Sequence, residues 1–187
     1  LLATDWSWDD DAMTSMTVKM NPDAKWSDGT ALTANDVAYT WDFNVKYESS
    51  FGLDFPNYVE SITATDDATL AIVCKLDDAG NPTNPLKVQQ LLQQMYIMQK
   101  AYLETVEERN GSDKEAVKLD KMEDLVASGP YKPFFDDDQK VVFVRDDNYW
   151  GQAASMWGKL PAPKYIAHVI YADNNAGQVA LEAGDVD

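Results

Sequence analysis

The stretch KWSDGTALTANDVAYTWDF, residues 25–43, decides how this chain is read. Asp28-Gly29 predicts a tight turn, because glycine enters the positive-φ region without a Cβ clash. Thr33 stands where a helix N-cap is expected, with Asp36 three residues on. This is an acidic variant of the capping box, in which the hydroxyl serves the first turn and the carboxylate reaches back to the cap N–H. The helix that follows carries Val37, Trp41 and Val45 along one stripe and Tyr39, Phe43 and Tyr47 along a second. Two stripes at this spacing predict a helix buried on more than one side. The stretch holds no nucleophile–base pair and no phosphate-binding loop. Its chemistry is structural.

Outward from it, SMTVKM (residues 15–20) alternates polar and apolar residues and predicts a strand, ended by Asn21-Pro22-Asp23. Trp26 follows in a short extended piece. SSFGLDFPNYVES (residues 49–61) reads as a loop, with Gly52 and Pro56, yet it holds Phe51, Phe55 and Tyr58. Aromatic rings on a loop are hard to explain as core, so these three are the candidate ligand-facing residues. YVESITAT and TLAIVCKL, joined by Asp66-Asp67, predict a hairpin, and DDAGNPTNP a loop. LKVQQLLQQM is helical from Leu86, and residues 95–99 either continue it or form a short strand. Ser112 is the expected N-cap of DKEAVKL. Gly129, Pro130 and Pro133 break any helix in SGPYKPFF. Residues 139–147 and 165–172 read as strands, NYWG and LPAPKY as loops. NNAGQVALEAGDVD reads as a short helix closed by Gly184.

Composition excludes several functions. The 187 residues are 45% hydrophobic and 11% aromatic, enough for a packed core. Acidic residues outnumber basic ones 32 to 15, a formal net charge of −17. Such a surface repels phosphate, and there is no basic stripe, so no nucleic-acid partner is expected. A single cysteine, Cys74 in an apolar run, rules out an internal disulfide and reads as a small buried hydrophobe. The single histidine, His168, lies in an alternating strand and rules out a multi-histidine zinc site. The acidic runs at residues 9–11 and 136–138 lack the spacing of a calcium loop. No metal, cofactor or catalytic residue is expected. No stretch approaches the ~18 apolar residues of a membrane span. The chain starts without methionine or a signal peptide, and it reads as a piece of a longer, exported protein.

The residues quoted above resemble the signature of the extracellular solute-binding proteins of ABC importers, in the peptide/nickel-type family of oligopeptide- and dipeptide-binding proteins. The Lys-Trp-Ser-Asp-Gly turn falls at residues 25–29, the Thr-Ala-x-Asp-Val helix start at residues 33–37, and Tyr39 and Trp41 follow. Further matches run in order: LLATDWSWDDD, the hairpin around Asp66-Asp67, Gly129-Pro130-Tyr131, the strand leading to Tyr149-Trp150, and ALEAGDVD. The resemblance implies a mixed α/β, type II periplasmic-binding-protein-like fold, present in part. Residues 1–98 would be a small subdomain and residues 99–187 part of the first lobe, with the second lobe absent. It implies capture of a small solute, an oligopeptide or alternatively an oligosaccharide or metal, and delivery to a membrane permease. A sensory or structural use of the same fold is a further alternative. It implies a monomer outside the cytoplasm, in the periplasm or as a surface lipoprotein, and no enzyme. Trp26, Asp28, Gly29, Thr33, Asp36, Trp41, Gly129, Pro130, Tyr131, Tyr149 and Trp150 would serve folding, and Phe51, Phe55 and Tyr58 would lie near the solute.

Overall fold

A computed structural model describes residues 2–187. The chain divides into two compact units, one ending at Ser128 and one running from Gly129 to Asp187.

In the first unit, β1 (Ala3–Trp8), β2 (Ser15–Met20), β3 (Val59–Asp66) and β4 (Thr69–Cys74) form an antiparallel sheet in the order β1-β2-β4-β3. Strand period is two, so alternate residues share a face. Met16, Val18 and Met20 on β2 and Leu70, Ile72 and Cys74 on β4 are all buried. Register aligns them: Met16 and Ile62 both oppose Ile72, and Val18 opposes Leu70. Three strands thus present one apolar face. Helix α1 (Ala34–Lys46) packs against β3 and β4 and buries Val37 and Trp41.

The second stripe of α1 meets a different core. Phe43 and Tyr47 cluster with Tyr102, Leu103 and Val106 of α4 (Lys100–Arg109) and with Val117 of α5 (Lys114–Lys118). The two-stripe reading therefore holds, except that Val45 is exposed. Because α4 shares this core with α1, the first unit continues past residue 99, where the sequence reading sets a domain boundary.

Other readings are corrected. Residues 49–61 are not a loop: α2 (Ser50–Asp54) and a 3-10 turn (Phe55–Asn57) occupy them. Phe55 is buried within this unit. Gly52 explains the helix, since a Cβ there would fall 1.8 Å from the Asn44 carbonyl oxygen. Only glycine lets α2 lie so close to the end of α1. Helix α3 (Pro85–Gln94) is capped by Asn84, and residues 95–99 leave it as irregular chain, neither helix nor strand. The cap of α5 is Asp113, whose carboxylate accepts the Ala116 N–H at 2.9 Å, not Ser112.

In the second unit, β5 (Tyr131–Asp136), β6 (Lys140–Arg145) and β7 (Tyr165–Val169) form an antiparallel sheet in that order, followed by α6 (Asn174–Ala183). SGPYKPFF thus enters a strand. Pro133 is tolerated because β5 is an edge strand, and a bulge lies between Pro133 and Phe135. Asp173 caps α6 through the Ala176 N–H, and Gly184 closes it at φ 76°. Phe143 opposes Ile166, and Val144 opposes Tyr165, so apolar side chains stand on both faces of this sheet. Ile166, Tyr165, Phe134, Val179 and Leu181 are all exposed.

Candidate functional site

The signature residues converge on one buried carboxylate. Asp36 Oδ2 accepts the Thr33 N–H at 2.8 Å, closing the expected capping box, and lies 3.3 Å from the Thr33 hydroxyl. The Trp26 indole N–H points at the same oxygen from 3.4 Å. The other oxygen, Oδ1, accepts the Lys100 N–H at 2.8 Å. Lys100 is the first residue of α4. A single carboxylate therefore serves the N-termini of two helices, where negative charge also complements the helix dipoles.

The turn beside it makes a second anchor. Gly29 takes φ 88°, as the Asp-Gly pair predicts. Asp28 accepts the Thr30 N–H at 2.9 Å and the Thr30 hydroxyl at 2.6 Å, and its second oxygen accepts the Gln99 side-chain amide at 2.8 Å. Gln99 also donates to Thr30 Oγ1 at 3.0 Å. Burial pushes the Asp28 carboxyl up, but these bonds outweigh it and hold the group below its ordinary value. A third anchor is the fully buried Thr40 hydroxyl, which accepts the Met98 N–H at 3.0 Å and lies 2.7 Å from the Asp36 carbonyl. Sequence reading missed Thr40, Gln99 and Lys100. The one available signal was Thr40, a hydroxyl set among the apolar stripes of α1.

The aromatic candidates lie in this same unit. The rings of Phe51 and Phe55 are 5.9 Å apart, and Phe51 meets Tyr96 edge-on at 6.0 Å. Tyr96 is 81% exposed, and Phe51 and Tyr58 are partly exposed. The Lys87 ammonium sits 5.8 Å from the centre of the Tyr58 ring. Inside residues 95–99, Met95 and Ile97 line an apolar groove of about 590 Å³ that also touches Trp6, Leu70 and Leu91.

Glu107 on α4 is a further polar centre. It accepts Tyr47 Oη and Lys46 Nζ, each at 2.7 Å, and the Tyr39 hydroxyl. Burial raises this carboxyl, but the bonds from Lys46, Tyr39 and Tyr47 together hold it below its ordinary value. Burial, then the bond to Glu107, pushes the Tyr39 phenol up. Asp120 is held far below the usual carboxylate range, first by Arg109, which grips both of its oxygens. The Cys74 thiol is buried and raised by that burial.

The remaining signature residues belong to the second unit. The Pro130 carbonyl accepts the Asp146 N–H at 2.9 Å, just after Gly129, and the Tyr131 hydroxyl donates to the Pro163 carbonyl at 2.7 Å. The rings of Tyr149 and Trp150 are 5.6 Å apart. The structure thus gathers Trp26, Asp28, Gly29, Thr33 and Asp36 about one network, and buries Trp41 in the core over β3. Among the described residues there is no helix long and apolar enough to cross a membrane, and no group of three or more acidic, histidine or cysteine side chains placed to hold a metal ion.

Comparison with known proteins places this architecture. The family model of bacterial extracellular solute-binding proteins, family 5 (middle), matches residues 1–187, and the chain belongs to that family. The probable peptide-binding protein YejA of Agrobacterium fabrum is 26% identical over 191 residues, covering 100% of this chain and 29% of that protein. The crystal structure of a periplasmic oligopeptide-binding protein from Thermotoga maritima, with mannohexaose bound, superposes with a TM-score of 0.78 at 26% identity. It covers 100% of this chain and 32% of its own. The oligopeptide-binding protein AppA of Bacillus subtilis, in complex with a nonapeptide, shares the fold at a TM-score of 0.73 and 21% identity, with 100% and 34% covered. The fold is the mixed α/β fold of type II periplasmic binding proteins, represented in part, since the chain spans about a third of these proteins or less. The homologues are solute-binding proteins, not enzymes.

Proposed function

We propose that this chain is part of an extracytoplasmic protein that captures a solute, a short peptide, and hands it to the permease of an ABC importer. The observation that carries the reading is the family match across residues 1–187. The peptide-binding names of the relatives from Agrobacterium fabrum and Thermotoga maritima support the solute class. The first unit is assigned to the small subdomain and the second to lobe one, and the working protein is a monomer in the periplasm or on a lipid anchor.

The solute-facing surface of the first unit is assigned to Phe51 and Tyr58, with the buried Phe55 supporting Phe51 from beneath. Partly exposed rings suit this role because they offer contact area at little conformational cost. A second reading, oligosaccharide capture, is favoured by the mannohexaose bound to the Thermotoga relative. Titration calorimetry of the longer polypeptide that contains this chain tests both, with short peptides and with mannohexaose as probes. Saturable heat with peptides supports the reading, heat with mannohexaose alone moves the solute class, and heat with neither contradicts it. The 187-residue chain alone is expected to bind neither tightly, because a cleft between lobes needs both walls.

A further inference from the structure

Three consecutive residues, Met98, Gln99 and Lys100, are tied to three different parts of the signature. The Met98 N–H goes to Thr40, the Gln99 side chain to Asp28 and Thr30, and the Lys100 N–H to Asp36. Immediately before them lies irregular chain with no helix or sheet to hold it. In that chain Met95 and Ile97 line the groove, while Tyr96 is exposed and meets Phe51. We infer that Asp28 and Asp36 are positioning residues: they pin residues 98–100, and through them fix the path of residues 95–97 and the pairing of Tyr96 with Phe51.

Acceptor count sets what Asp36 can hold. A carboxylate offers two oxygens, and Asp36 uses one for each helix it serves. An amide offers one acceptor oxygen and one donor group. Asp36→Asn keeps the shape, yet leaves either the Thr33 or the Lys100 N–H without an acceptor. The arm to Asp28 is independent, since Gln99→Ala removes it without touching Asp36. If both arms set the path of the segment, either change loosens Tyr96. The positioning stands on these contacts alone. Its importance for solute capture rests on the proposal that Phe51 faces the solute.

The test uses NMR of the 187-residue chain and reads no ligand, so a wrong solute assignment leaves it intact. Two quantities are followed: the nuclear Overhauser contact between the Tyr96 and Phe51 rings, and amide exchange at Met98 relative to Ile72 in the sheet. Met98 donates to Thr40, not to Asp36 or Asp28, so its protection reports the segment rather than the mutated bond. Asp36→Asn is expected to raise the Met98-to-Ile72 exchange ratio roughly tenfold, the scale of a lost charge-assisted hydrogen bond, and to abolish the ring contact. Gln99→Ala is expected to act in the same direction by less, and decides the matter if Asp36→Asn does not fold. Ile62→Ala, which weakens the sheet core outside the cluster on which Met98 packs and leaves every hydrogen bond of the network in place, should speed both amides together and keep the ring contact. If Asp36→Asn and Gln99→Ala behave like Ile62→Ala, the two aspartates only stabilise and the inference is wrong.

Discussion

The two units solve the problem of burying an apolar sheet face differently. In the first, Met16, Val18, Leu70 and Ile72 are all buried, α1 packs over β3 and β4, and the second stripe of α1 closes a further core with α4 and α5. In the second, β5, β6 and β7 pair fully, yet apolar side chains remain in solvent on both faces of the sheet and on α6. Burying a Leu, Ile or Phe side chain contributes about 1.5–3 kcal/mol. The first unit collects that term many times over; the second leaves most of it uncollected. Backbone pairing alone makes a sheet, but net hydrogen bonding is too weak to make it stable. Folding independence therefore belongs to residues up to Ser128, and the second unit is the part of this chain whose stability depends on being covered.

The largest test of that contrast is Leu103→Ala. Leu103 is fully buried between α1 and α4, so the change should cost about 3 kcal/mol, read as a lowered urea midpoint of the buried Trp26 and Trp41 fluorescence. Gly52→Ala comes next. Its Cβ would strike the backbone of Asn44, and moving α2 off α1 should cost roughly 2 kcal/mol in the same assay. Acid should act on the first unit as well. Glu107, Asp120 and Asp28 are all held below their ordinary values in the folded state. A depressed carboxyl contributes stability that is complete above its unfolded value and is lost as pH falls toward the folded one. Thermal melts should therefore shift downward below about pH 4, and Glu107→Gln should flatten that dependence. The smallest effect belongs to the second unit: Ile166→Ala, on an exposed face, should change stability by no more than about 0.5 kcal/mol. A cost comparable to that of Leu103→Ala would break the contrast.

Much of the fold was legible because its determinants are local. The Asp28-Gly29 turn, the Thr33–Asp36 box, the stripes of α1, the β3–β4 hairpin and the Gly184 cap each lie within one or two turns of chain. What was missed depends on distant partners. Strand β1 carries ATDWSW at mostly exposed positions, so it shows no alternation and forms by pairing with β2. Strand β5 hid behind Pro133, which an edge strand accepts. Helix α2 exists because Gly52 fits against Asn44, a contact invisible in SFGLD itself. The same holds at the candidate site. Asp36 was legible as half of a cap, but its second oxygen serves Lys100, far along the chain. Gln99 gave no signal, because only folding brings it to Asp28. Phe51, Phe55 and Tyr58 are legible as aromatics outside the stripes of α1, but the short helix that carries Phe51 and the burial of Phe55 are not.

The most direct test of the central contrast is amide hydrogen exchange, followed by mass spectrometry, on the 187-residue chain. Peptides from β2, β4, α1 and α4 should be protected to a common, slow limit, while those from β5, β6, β7 and α6 should exchange faster by orders of magnitude. Equal protection from Gly129 to Asp187 would show that the second unit stabilises itself, and would contradict the account.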